Sequence, residues 1–184
     1  MLTWSWPTDL GPYATHLADM LAASIRDDGI LGYTEEPTAA QRTAFADGLV
    51  RLVAEGGGHV LVGEDADGPA AMCVLRTTSM PNGRHIADVS KAYLDPRVRG
   101  TTAVHRLVAE VCDRAGDIGV ELFTIDVREG SPAHRVWSRF GFTTYGVLED
   151  YVRVREVSHR GHYMSCPVRS LADTARAALS ARAA

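Results

Sequence analysis

The stretch DPRVRGTTAVHRL, residues 95–107, carries the residue types of an anion cradle. A β-like run enters it, a turn holds Arg97, Arg99 and Gly100, and a helix leaves it. The free N–H groups of a helix's first turn point outward with partial positive charge, and they bind phosphate without special side chains. Gly100 lets the backbone approach closely, and the two guanidiniums can add charge. The same residues also suit a plain turn with solvated arginines. Asp126 is the second chemically suggestive position, close to the end of the otherwise apolar run VELFTIDV. Burial of a carboxyl there would raise its pKa and make it a proton acceptor. An Asp that ends a strand or pairs with Arg128 fits the pattern as well. Asp88 shares a face with Ile86 and Ser90 in an earlier run, and it is either a second such acid or an exposed strand residue.

These residues need elements to hold them. LTWSW reads as a short first strand. Leu17, Met20, Leu21 and Ile25 recur at helical spacing over residues 13–27. The loop RDDGILGYTEEPT follows, with Asp27, Asp28, Tyr33, Glu35 and Glu36. Thr38 and Gln41 form a capping-box pattern that opens a second helix, which EGGG ends. HVLVGE and PAAMCVLRTTS make a hairpin around EDADG, and HIADVSKAYLD is a longer third strand. Val104, Leu107, Val108 and Val111 line a helix that stops at Gly116. VELFTIDV is apolar on both faces, as an interior strand requires. Ser131 caps a short helix with Pro132 in its first turn, and Gly141 closes it. TTYGVL and HRGHYMSCPV are two late strands. The alanine-rich end, 171–184, is a helix or a frayed tail on a single domain spanning 1–170. The β-α-β unit from 85 to 127 predicts a right-handed crossover between parallel strands.

Totals narrow the partners. The net charge is −4, with no basic block or basic helix face, so nucleic acid is not expected as a partner. No stretch approaches the roughly 18 apolar residues of a membrane span. Cys73, Cys112 and Cys166 are far apart and read as reduced structural thiols of a cytoplasmic protein. His159 and His162 would point to opposite strand faces, so no metal site is expected.

The element order and three local signatures resemble the GCN5-related N-acetyltransferases, or GNAT family, over most of the chain. The turn Arg97-Val98-Arg99-Gly100-Thr101-Thr102 resembles the family's Gln/Arg-x-x-Gly-x-Gly/Ala, with Thr102 at the Gly/Ala position. GSPAHRVWSRFGF, residues 130–142, resembles the family's Asn-x-x-Ala-x-x-x-Tyr-x-x-x-Gly-Phe segment. There Gly130 replaces the Asn and Trp137 the Tyr that often protonates the departing thiolate. PNGRHIADVSKAYLDP, IDVREGS and GILGY look like the tabtoxin-resistance branch, whose members acetylate a small amino-bearing antibiotic.

The resemblance implies an α/β fold with a mixed central sheet of about six to seven strands, about four flanking helices and a splayed parallel central pair. It implies acetyl-CoA as cofactor and a small cationic amine as acceptor, aminoglycoside-like or tabtoxin-like. Acetylation of a protein or peptide, and a non-catalytic acyl-CoA-binding role, stay open beside it. The cofactor would lie along Ala92, Tyr93 and Leu94, where a backbone N–H polarises the thioester. It would continue over the turn from Arg97 through Val98, Arg99, Gly100, Thr101 and Thr102 to Ala103, with Ser131 and Trp137 alongside. Asp126 and then Asp88 are the base candidates and would also bind the ammonium. Tyr145 is carried as the acid, with Tyr151, Tyr163 or a water as alternatives. Asp28, Tyr33, Glu35 and Glu36 would form one wall of the acceptor site. A homodimer through Trp4, Trp6 or the late strands is compatible with the family.

Overall fold

A computed structural model describes residues 2–26, 31–154 and 156–183. Seven strands form one mixed sheet in the order β1-β2-β3-β4-β5-β7-β6. They are β1 (Thr3–Ser5), β2 (Gly58–Asp65), β3 (Gly68–Thr77), β4 (Ile86–Leu94), β5 (Leu122–Arg128), β6 (Thr143–Val154) and β7 (Val157–Pro167). The helices are α1 (Ala14–Arg26), α2 (Ala39–Ala54), α3 (Ala103–Asp117), α4 (Pro132–Arg139) and α5 (Val168–Ala183). Among the described residues no helix is long and apolar enough to cross a membrane.

The interior strands are buried on both faces, so the sheet has two cores. Val60, Val62, Met72 and Val74 pack beneath α1 and α2 with Leu17, Leu21 and Leu49. Leu61, Cys73, Leu75, Phe123 and Ile125 face the other way, against Leu107, Val108 and Val111 of α3 and against α4 and α5. The predicted capping box opens α2: Thr38 Oγ1 accepts from Gln41 N, and Gln41 Oε1 accepts from Thr38 N at 2.9 Å. Such a cap contributes about 1 kcal/mol. The alanine-rich end is helical, and Leu171, Ala172 and Ala175 are buried in the core that α3 shares.

Trp4 and Trp6 are used inside the chain. The Trp4 ring lies over Gly63, where a Cβ would collide with it. Trp6 meets His59 edge-on at 6.3 Å and sits under the Arg114 guanidinium at 6.0 Å.

Among the described residues, β4 and β5 are the only parallel neighbours in the sheet. They pair only through Ile86–Leu122, Ala87–Phe123 and Asp88–Thr124, and then they part. β4 stays with β3 through Met72–Tyr93 and Ala71–Leu94, whereas β5 stays with β7 through Arg128–Gly161. The parting has a local cause. The β3–β4 register slips between Met72 and Val74, so Lys91 and Ala92 together stand opposite Cys73. Lys91 takes a positive φ of 52° there. Alternation alone would put Tyr93 on the side of Ala87 and Val89. The bulge turns it into the opposite core, with an exposure of 1%.

Candidate active site

A cleft of about 480 Å³ opens where β4 and β5 separate. Val89 to Ala92 form one wall and Ile125 to Arg128 the other, with Ser131 and Trp137 of the α4 segment at one end. Leu31, Gly32 and Thr34 close it from the α1–α2 connection, and Tyr151, Val152 and Val154 of β6 close it from the far side.

The sheet puts Asp88, Thr124 and Asp126 on one face, because Ala87, Val89, Phe123 and Ile125 between them all enter the α3-side core. Their depths differ from the sequence-based expectation. Asp126 is exposed, and the half-buried acid is Asp88. Asp126 lies past the last β4–β5 pair, where the strands have already diverged, whereas Asp88 lies in it. Burial lifts the Asp88 carboxyl above its usual range, and the neighbouring Asp126 charge lifts it further. A Ser90 hydrogen bond and the charges of Arg76 and Lys91 oppose this. The shielding expected at Asp126 is therefore found at Asp88.

Two other side chains complete this floor. Lys91, half-buried on the bulge, donates from Nζ to the main-chain oxygen of Leu31 at 2.9 Å. Burial lowers its ammonium pKa, and the Asp126 charge works against that. Tyr151 donates its hydroxyl to Asp126 Oδ2. Burial raises the Tyr151 hydroxyl, and the bond to Asp126 raises it further, so the proton stays on the phenol. The signal for Lys91 in the sequence is that it is the one lysine of the chain.

Tyr145, carried as the acid, is 62% exposed. It is not part of the cleft wall, and its ring stands 6.4 Å from that of Tyr163. The β6 tyrosine that reaches the site is Tyr151, brought there because β6 runs on to Val154, beyond the TTYGVL segment.

The turn before α3 has the predicted shape with a different use of its arginines. Gly100 has φ +73° and open space around its Cα, so nothing blocks an approaching ligand. Thr101 Oγ1 donates to Val98 O at 2.7 Å and accepts from Ala103 N at 3.1 Å. Thr102 occupies the N-cap position without a side-chain cap bond. Arg97 is committed to the β2–β3 hairpin. Its Nη2 is 3.1 Å from Asp65 Oδ1 and 3.0 Å from Gly68 O, and Asp95 also pairs with it. Arg99 donates to Leu94 O at 2.8 Å, and its guanidinium lies 5.4 Å from the Tyr93 ring centroid. The main chain of the turn is open at Gly100, and the side chains of Arg97 and Arg99 are both exposed beside it.

Ala92 faces the cleft, whereas the Tyr93 side chain is buried in the α1/α2 core. Ser131 is buried at 6% exposure and caps α4 by accepting from His134 N at 3.1 Å. Trp137 is equally deep, wedged edge-on against Phe142 at 5.2 Å, and it shows one side to the cleft. The α1–α2 loop lines the cleft through Leu31, Gly32 and Thr34, whereas Tyr33, Glu35 and Glu36 are not among the lining residues. Glu35 is exposed, Glu36 binds Arg42 at 2.8 Å, and Tyr33 packs on the α1/α2 core. Asp28 lies outside the described residues, as does Asp27.

Sequence comparison finds no matching family model and no matching curated relative. Comparison with solved structures is productive. A candidate phosphinothricin N-acetyltransferase matches with a TM-score of 0.75 at 18% identity, over 91% of this chain and 99% of that one. The yncA protein of Salmonella typhimurium, solved with its cofactor acetyl-CoA, matches with a TM-score of 0.70 at 14% identity, over 91% and 94%. A GNAT-family acetyltransferase from Streptococcus pneumoniae matches with a TM-score of 0.68 at 16% identity, over 91% and 99%. At these identities the likeness is one of fold.

Proposed function

We propose that this chain, which has the fold of the GNAT acetyltransferases, is an acetyl-CoA-dependent N-acetyltransferase acting on a small amine. The observation that carries this reading is the parting of β4 and β5 beside a cleft lined by Asp126, with Asp88 close enough for the Asp126 charge to act on it. The residues present fit the cofactor. The Gly100 turn offers unobstructed backbone at a helix N-terminus, which suits a pyrophosphate. The gap between the strands suits the pantetheine arm, and bound acetyl-CoA supplies an activated acyl group.

An acceptor ammonium must lose a proton before its nitrogen can attack. Asp88, with its raised pKa, accepts that proton, and Asp126 holds the ammonium nearby. Lys91 and Ala92 of the bulge line the cleft, and a main-chain amide there would polarise the thioester carbonyl. Trp137 has no ionisable proton and the Tyr151 proton is tied to Asp126, so neither would protonate a departing thiolate.

Lys91 bears on the acceptor class. A cation beside two acids suits an amine that also carries an anionic group, as an amino-acid-like antibiotic does. A polycationic aminoglycoside would meet the lysine, and the glutamates expected to bind it face elsewhere. The test is CoA release across a panel of carboxylate-bearing amines, aminoglycosides and short peptides. Turnover highest with a carboxylate-bearing amine supports the reading. Turnover only with peptides replaces the acceptor class, and acetyl-CoA binding without turnover on any amine removes the enzyme.

A further inference from the structure

Tyr151 reaches Asp126 from a strand that is not its neighbour. β7 lies between β5 and β6 in the sheet, yet the Tyr151 hydroxyl donates to Asp126 Oδ2. Two features make this reach. The β6–β7 register slips between Leu148 and Val152, so Glu149, Asp150 and Tyr151 stand opposite the single residue Arg160. Gly161, next to Arg160, has no side chain, and a Cβ there would overlap the Tyr151 ring. Polar contacts hold the bulge in shape. Arg160 binds Glu149 at 3.1 Å and Glu129 at 3.3 Å, and Asp150 accepts from Arg153 Nε at 3.0 Å and from Ser158. Tyr163, the β7 residue paired with Asp126, flanks the Tyr151 ring edge-on at 6.3 Å.

We propose that Tyr151 is a positioning residue, which crosses over Gly161 to hold Asp126 on the open face beside Asp88 and so makes the two acids one proton-accepting unit. The assignment of these acids to proton transfer rests on the acetyltransferase reading above; their placement by Tyr151 does not. The hydroxyl occupies Oδ2 and leaves the other carboxylate oxygen for a ligand ammonium. It also keeps the Asp126 charge near Asp88, where that charge adds to burial in lifting the Asp88 carboxyl. The other groups that face Asp88 are Ser90 and Lys91 on its own strand and Arg76 and Cys73 on β3, with Tyr151 itself on β6. None of these can take over the place of Asp126 when the tyrosine bond is lost.

The test begins on the free protein, by carbon-detected NMR titration of the aspartate carboxyls in wild type, Tyr151→Phe and Gly161→Ala. In wild type, Asp88 titrates above the ordinary aspartate range. In Tyr151→Phe the released Asp126 turns to solvent, and the Asp88 midpoint falls by about half a pH unit. Gly161→Ala displaces the ring and reproduces the fall, although the hydroxyl is still present. With a turned-over acceptor, Tyr151→Phe also moves the acid limb of kcat/KM to lower pH and lowers kcat about tenfold. An Asp88 midpoint unchanged in Tyr151→Phe overturns the proposal, whatever the activity. A shifted midpoint in a protein that acetylates nothing upholds the positioning role and removes the acetyltransferase reading instead.

Discussion

Lys91 Nζ donates to Leu31 O at 2.9 Å, and this bond ties the bulge of β4 to the connection between α1 and α2. The residue making it sits at φ +52°, a conformation that costs an L-residue about 1–2 kcal/mol. One strained position thus bends the strand away from β5 and fixes a cation in the cleft wall at the same time.

Replacing Lys91 with Met removes the tether and the charge. KM for a carboxylate-bearing amine is expected to rise about tenfold or more, since a charge-assisted contact contributes roughly 1.5–3 kcal/mol. KM for a neutral amine should move far less. Steady-state CoA release on matched acceptor pairs measures the difference. Equal rises for both acceptors would assign Lys91 to loop anchoring alone.

Asp88→Asn separates chemistry from stability. The folded state holds the Asp88 proton more tightly than the unfolded state does. As pH rises from the ordinary aspartate value, about 4, towards the higher folded value, the unfolded state ionises first and folding loses stability. Above both values the penalty is complete, and below both it is absent. The amide should therefore raise Tm by a few degrees at neutral pH and leave it unchanged in acid, while kcat falls by about 10²–10⁴-fold. Melting curves at several pH values test the first part. A lower Tm at neutral pH would show that the carboxylate is stabilising.

Gly100→Ala places a side chain at φ +73°. The strain costs about 1–2 kcal/mol. Open space around the position means the cost is conformational, not a clash inside the chain. Calorimetry should show weaker acetyl-CoA binding together with a lowered Tm. Full-strength binding would move the anion site away from this turn.

The cysteines should be silent. Cys73, Cys112 and Cys166 are all buried, and burial pushes the Cys73 and Cys112 thiols up to about 12. A thiol reagent should find no reactive group in the native protein and three after denaturation. Prompt reaction of the native protein would contradict the packing of β3 against α3. Silence also means that a thiol-based assay reads released CoA alone.

Much of this was legible in local pattern. The Thr38–Gln41 capping box, the Gly100 turn before an amphipathic helix, the Ser131 cap and the apolar run ending at Asp126 each depend on residues within a few positions of one another, where backbone sterics and helical or strand period decide the outcome. Period also put Asp88 and Asp126 on corresponding faces of neighbouring parallel strands. Tertiary structure alone decided which acid is shielded, because depth depends on where two strands part, and that is set by the bulge opposite Cys73. It alone turned Tyr93 to the other core, committed Arg97 to Asp65, and chose Tyr151 over Tyr145 to reach Asp126. Each of these joins residues on different strands or across a hairpin. Period records which way a side chain points along one strand, but its partner follows from strand order and register, which are properties of the whole sheet.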